Sequence, residues 1–155
     1  MCKILVLCVL AVTLLVLSQG APTENTARQL ELLRVMAIDL QRMKKGSENS
    51  YTDFYTITDT GNRNISCTIS SLCCFVRELY EVKTYHNEYA VYVNNVIINS
   101  VEFLKQLDAS YSEKNDLKSY LEDQCEQCGI PNMTKKMKGF IKDFEELLKN
   151  LATNL

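Results

Sequence analysis

The stretch from Cys125 to the C-terminus constrains this chain more than any other. From Met137 the apolar residues fall at Met137, Phe140, Ile141, Phe144, Leu147, Leu148 and Leu151. That three-and-four spacing is one face of an α-helix. Lys138, Lys142, Asp143, Glu145, Glu146 and Lys149 fill the polar remainder. Pro131 ends whatever precedes, and Asn132 or Thr134 can cap the first turn. Such a helix needs a partner surface along its whole length. The pair Cys125-Glu-Gln-Cys128 just upstream is a clasp that says where that surface lies.

The other end of the chain decides the state of those cysteines. Met1-Cys2-Lys3 carries one positive charge, residues 4–17 are apolar apart from Thr13, and Ser18-Gln19-Gly20 offers small residues for cleavage. This reads as a signal peptide over 1–20, because the apolar run is shorter than the roughly 20 residues that span a bilayer. The chain left after cleavage, 21–155, is expected to be secreted and to fold as one domain with a single core. Lys3 is the only charge lost, so the secreted part is slightly more acidic than the formal −2 of the whole. No basic run exceeds Lys135-Lys136, which speaks against nucleic acid as a partner. Cys2 and Cys8 leave with the signal. Cys67, Cys73, Cys74, Cys125 and Cys128 remain, in a compartment that favours disulfides.

Three further helices precede the last. Thr26 and Gln29 form a capping box for a first helix running to about Lys45, with Leu30, Leu33, Met36 or Ala37, Leu40 and Met43 on one face and Gly46 as a left-handed stop. A polar connection over 46–66 has room for a short extended piece at 51–58. The second helix starts near Cys67 and ends near Lys83, with Ile69, Leu72, Cys73, Val76, Leu79 and Tyr80 on one side. The third, about 88–108, buries Ala90, Val93, Ile97, Val101, Leu104 and Leu107. A second long connection, 109–133, has a helical turn around 115–121. Long, short, long connections between four helices predict an all-α, up-up-down-down four-helix bundle with two long crossover loops.

Cys67 and Cys74 lie two helical turns apart on nearly one face, about 10.5 Å. Cys125 to Cys128 covers roughly 10 Å if extended. Two parallel straps, Cys67–Cys125 and Cys74–Cys128, therefore match in length and would tie the second crossover along the second helix. Cys73 points with the apolar stripe and reads as a buried free thiol. A zinc site of the four cysteines, and a redox pair at Cys125 and Cys128, are the weaker alternatives. Catalytic chemistry finds no support. The one histidine, His86, sits in a short link without a nucleophile or carboxylate near it in sequence, and no phosphate-cradling loop, nucleophile elbow or zinc-protease motif is present. No cofactor is implied. Asn64-Ile-Ser66 and Asn132-Met-Thr134 are glycosylation sequons in a secreted context.

Taken together, Cys-x6-Cys, the later Cys-x2-Cys and the closing Phe140-Ile-x-x-Phe144-x-x-Leu147-Leu148 resemble the short-chain four-helix cytokines related to interleukin-2, interleukin-15 and interleukin-21. The segment 66–79 and Phe54-Tyr55-Thr56 look most like interleukin-15, and Asp39-Leu40-Gln41 looks more like interleukin-2. The resemblance covers most of the secreted chain. It implies the same two disulfides, and a monomeric ligand that joins receptor ectodomains on immune cells and so drives their proliferation and survival. It implies receptor contacts at Asp39 and Asn95 toward a beta-type chain and at Glu78 toward a private alpha chain. The common gamma chain is usually met by a glutamine late in the last helix, where this chain has Lys149. Cys73, and three extra residues between Tyr55 and Cys67, are further departures. From another class, the alternative is a secreted helical carrier of a small apolar ligand, with a cavity lined by Met36, Phe140 and Phe144.

Overall fold

The computed structural model describes residues 23–46, 52–57, 64–83, 89–107, 116–126 and 133–155. The predicted signal peptide, His86, Cys128 and Asn132 lie outside them. Five helices and two short strands follow in order: α1 (Glu24–Gly46), β1 (Asp53–Thr56), α2 (Ile65–Val82), α3 (Ala90–Leu107), α4 (Leu117–Glu126), β2 (Met133–Lys136) and α5 (Met137–Thr153). The architecture is a mostly helical bundle. Among the described residues no helix is long and apolar enough to cross a membrane.

The four long helices form a ring. α1 packs on α3 and on α5, α2 packs on the same two, and no α1–α2 or α3–α5 contact occurs among the described residues. Side-chain pairs fix two directions. Arg28 meets Glu102, Met36 meets Ser100 and Arg42 meets Tyr92, so α3 runs antiparallel to α1. On the other flank Gln41 and Lys44 meet Glu145, while Leu30 and Leu33 share a groove with Leu148 and Ala152. α5 is therefore antiparallel to α1 as well.

Every apolar position expected of the last helix is buried. Phe140 stacks among Phe54, Phe75 and Phe144 at ring-centroid distances of 5.0, 5.3 and 6.1 Å. The first turn departs from expectation. The cap position is Lys136, and no side chain bonds the first amides; Thr134 is instead in β2. That strand pairs antiparallel with β1, Asp53 opposite Lys136 and Thr56 opposite Met133. Asp143, placed by its charge on the polar face, is buried under this ribbon. It accepts a hydrogen bond from Thr56 Oγ1 at 2.8 Å and pairs with Lys135 Nζ at 2.7 Å. Asp143→Ala would leave a threonine hydroxyl and an ammonium without their acceptor. We expect a loss of about 2 kcal/mol by denaturant unfolding, with faster amide exchange across β1 and β2.

The first helix begins earlier than expected, since Thr23 Oγ1, not Thr26, accepts the Thr26 amide at 3.2 Å. Its buried stripe is Gln29, Leu33, Met36, Leu40 and Met43, with Asp39 alongside. Gly46 is the last helical residue and its φ is not left-handed. Its lack of a side chain serves a close approach instead. A Cβ there would lie 2.5 Å from Tyr89 Cε1, and the Tyr89 hydroxyl donates to the Gly46 carbonyl. Gly46→Ala is expected to destabilise by about 1 kcal/mol rather than give the usual helix gain, with the sign reversed in a Tyr89→Ala background.

On α3 the buried set is Val93, Val96, Ile97, Ser100, Phe103 and Leu104. Ala90, Val101 and Leu107 are only half-buried. The helix is rolled toward α1, where the Ser100 hydroxyl, bonded to the Val96 carbonyl at 2.7 Å, sits against the Met36 sulfur. α2 is closed in on nearly every side through its middle, including Ser70, Ser71 and Cys74. A single apolar stripe does not produce that; a second covering element does.

That element is α4, a ten-residue helix where a mostly irregular connection was expected. It touches only α2 among the described elements, through buried Tyr120, Leu121 and Cys125. Its direction corrects the disulfide pairing. Lys118 pairs with Glu81 at 2.9 Å, Cys125 is bonded to Cys74, and Ser70 donates to the Gln124 and Cys125 carbonyls. Rising numbers on α4 meet falling numbers on α2, so the two are antiparallel. The expected Cys67–Cys125 and Cys74–Cys128 pairs are thus replaced by Cys74–Cys125. The reason is a symmetry of the length argument: a two-turn gap matched to a three-residue gap is equally well bridged in either direction. Cys67 is disulfide-bonded too, and Cys73 is buried and takes part in no disulfide, as expected. The Glu81 hydrogen bond, followed by its charge, holds Lys118 above the ordinary lysine value. Lys118 therefore keeps its charge throughout the neutral range.

Candidate binding surfaces

α1 is flanked by two seams, and three of the four expected contact residues lie on them. On the α1–α3 side, Met36 meets Ser100 and Arg42 meets Tyr92. That register sets Asp39 level with Asn95. Sequence separated these two residues by more than fifty positions, and the fold brings them to one height of the bundle. They differ in access. Asn95 is half-buried beside Val91 and Ile98, exposed at 68 and 56 %. Positions 91, 95 and 98 form one outward stripe of α3. Asp39 is only 2 % exposed. Its carboxylate accepts from Arg42 Nη1 at 3.1 Å, and the Arg42 guanidinium lies 5.7 Å above the Tyr92 ring. In the free chain the aspartate is thus an anchor under an exposed arginine.

On the α1–α5 side lies an elongated groove in two adjoining parts, of about 590 and 230 Å³. Ala37 belongs to both parts, and Ala152 forms the far wall. Small side chains at these positions keep the two helices from filling the space between them. Ile38 stands at the edge, 42 % exposed. Arg34, Arg42, Lys45 and Lys149 bring positive charge, Glu145 the opposite. Lys149 is exposed here, one level with Ala37.

Glu78 lies apart from both seams. Its carboxylate accepts the Tyr55 amide at 3.1 Å and pairs with Arg77 at 3.4 Å, so it holds β1 against α2. Tyr55, 51 % exposed, is what that corner offers to solvent. Asn64 caps α2, its Oδ1 accepting the Cys67 amide at 2.8 Å. The cap uses the carbonyl oxygen and leaves Nδ2, the atom a glycan attaches to, on an exposed residue. Among the described residues no His, Cys, Asp and Glu group is placed to hold a metal. The four-cysteine zinc alternative is incompatible with the Cys74–Cys125 bond, which uses two of its thiols.

Arg42, Tyr92 and Ile38 were missed by sequence reasoning. Only Ile38 left a signal there: an isoleucine at the centre of the otherwise polar row Arg34, Arg42, Lys45. No protein-family model, no curated protein and no solved structure matches this chain.

Proposed function

We propose that this chain is a secreted, monomeric cytokine of the interleukin-2, interleukin-15 and interleukin-21 type, without catalytic activity, that joins receptor ectodomains on immune cells. The ring of four helices carries the reading. Each long helix has two neighbours and one diagonal, with α1 antiparallel to both of its neighbours. An up-up-down-down chain path has these relations, with the links 47–64 and 108–136 as its crossovers. Cys67 is disulfide-bonded as well, which supplies the second disulfide of this reading.

In this reading the α1–α3 seam, with Asn95, Val91, Ile98 and the Asp39–Arg42 pair, meets a beta-type chain. The α1–α5 groove with Lys149 meets a gamma-type chain. The corner of Glu78 and Tyr55 is where an alpha chain would dock. Glycans at Asn64 and Asn132 fit a secreted route. Against the apolar-carrier alternative stands the aromatic packing: Met36, Phe140 and Phe144 are fully buried, and Phe75 stacks on Phe144 at 4.8 Å.

The test is surface-based binding of the purified chain to beta-, gamma- and alpha-type cytokine receptor ectodomains of its own species. Ile98→Glu, at an exposed position, should weaken the beta-type complex by about tenfold or more with an unchanged melting temperature. Asp39→Lys is a poorer probe, because a buried position would lose stability and binding together. Binding to none of the ectodomains would overturn the proposal.

A further inference from the structure

We propose that Tyr55 is a tyrosine sulfation site, modified on its phenolic oxygen while the chain passes along the secretory route. The proposal rests on the secreted reading above and on no part of the receptor assignment. The tyrosines differ sharply in access. Tyr89 and Tyr120 are buried, and Tyr80 and Tyr92 are half-buried on helices. Tyr51, Tyr85 and Tyr111 lie outside the described residues. Tyr55 alone among the described tyrosines is exposed, at 51 %. Its backbone is fixed rather than its ring: the amide donates to Glu78 at 3.1 Å, and Phe54 and Thr56 on either side are buried. The strand thus holds the phenol out to solvent.

The chemistry asks for more than access. The sulfate donor is an activated nucleotide, a mixed phosphate–sulfate anhydride. The tyrosine oxygen attacks the sulfur, and the bond from sulfur to the bridging phosphate oxygen breaks. The nucleotide leaves as its phosphate, and the phenolic proton passes to a base of the transferring enzyme; nothing is oxidised or reduced. A cleft that binds such an anionic donor is basic, so it draws in a tyrosine beside carboxylates and repels one beside cations. Residues 50–60 carry Asp53 and Asp59 and no Lys or Arg. Asp53 and Tyr55 alternate with the buried Phe54 and Thr56, so both side chains stand on the outer face, about 7 Å apart. Tyr92 has the opposite surroundings, under the Arg42 guanidinium at 5.7 Å.

The ribbon can also accommodate the product. Tyr55 stands opposite Thr134, and Lys136 lies two residues on, opposite Asp53. Lys136 Nζ already pairs with Asp53 at 2.8 Å. A sulfate on Tyr55 comes within reach of the same ammonium along the diagonal of the strand pair. The modification adds a permanent negative charge at the β1 corner without burying it.

The test expresses the full chain in animal cells supplied with labelled inorganic sulfate and collects it from the medium. Mass spectrometry with fragmentation that keeps the ester intact assigns the group to Tyr51 or Tyr55. One sulfuryl group is expected on Tyr55, removed by arylsulfatase, resistant to tyrosine phosphatase and lost when the cells grow in chlorate. Tyr55→Phe should abolish that group at an unchanged melting temperature, since an exposed hydroxyl is all that is lost. Asp53→Asn should lower occupancy by about threefold or more. Stability should hardly change, because both sides of its ion pair are exposed. Secreted chain with Tyr55 unmodified, label on Tyr51 alone, or a group that the phosphatase removes overturns the inference and leaves the secreted reading standing. Retention of the chain in the cells with residues 1–20 still attached overturns that reading, and the inference with it.

Discussion

Replacing Cys74 and Cys125 together by serine is expected to lower folding stability by about 4 kcal/mol. The bond closes a loop across a sequence separation of 51. In the chain-entropy picture a cross-link of that span removes about 4 kcal/mol of freedom from the unfolded chain. The double substitution avoids an unpaired thiol, and serine keeps the small volume. The effect should be local as well as global. Among the described elements α4 touches only α2, and without the bond its described contacts there include buried Tyr120 and Leu121, the exposed Lys118–Glu81 pair and the Ser70 hydroxyl. Limited proteolysis should therefore cut within 117–126 in the variant while the four long helices resist. Urea unfolding under fixed pH measures the first part, and mass spectrometry of the digest the second. The same instrument checks the connectivity. Cleavage after Leu72 and after Glu126 separates the four half-cystines, and the Cys74 fragment should be linked to that of Cys125. A Cys67–Cys125 link would restore the parallel strap and overturn the direction of α4.

Phe140→Ala should cost 3–5 kcal/mol, typical of removing a fully buried phenylalanine, as transfer and cavity losses add. Phe140 is where three parts of the chain converge. It touches Phe54 of β1, Phe75 of α2 and Phe144 one turn along its own helix. Small residues cannot close the void without moving a strand and two helices at once, so collapse is restricted. Phe140→Leu, which restores most of the volume, should recover more than half of the loss in thermal or denaturant unfolding. A variant that instead binds small aromatic molecules in the new void, while folded, would show that the surrounding rings hold their places.

What was legible in the sequence follows from how each element is stabilised. α5 was read correctly along its whole stripe because each of its apolar residues is spent on one continuous contact. The extended piece around β1 was visible as a short stretch within a polar connection, but not its inward residues, which in the strand are Phe54 and Thr56. α4 was not, because a helix with Tyr120, Leu121 and Cys125 as its buried set carries too few apolar residues to show a period. It exists through a cross-link and a neighbour fifty residues away. The burial of Asp39 and Asp143 was missed for a related reason. Each acid is neutralised by a partner, Arg42 for the first and Lys135 for the second. Charge had placed Asp143 on the polar face, and the resemblance had made Asp39 an outward contact. Of the candidate contacts, the level of Asp39 with Asn95 was beyond sequence, because it depends on the α1–α3 register, while the exposure of Lys149 was expected from its place on the polar side of α5.

α1 is wedged between α3 and α5, and it lends side chains to both flanks. A roll of this rod about its long axis cannot leave the flanks independent: residues carried toward one neighbour are drawn away from the other. Core substitutions under α1, such as at Leu40 or Met43, would then trade one contact face against its opposite, like the two pans of a balance on a single beam.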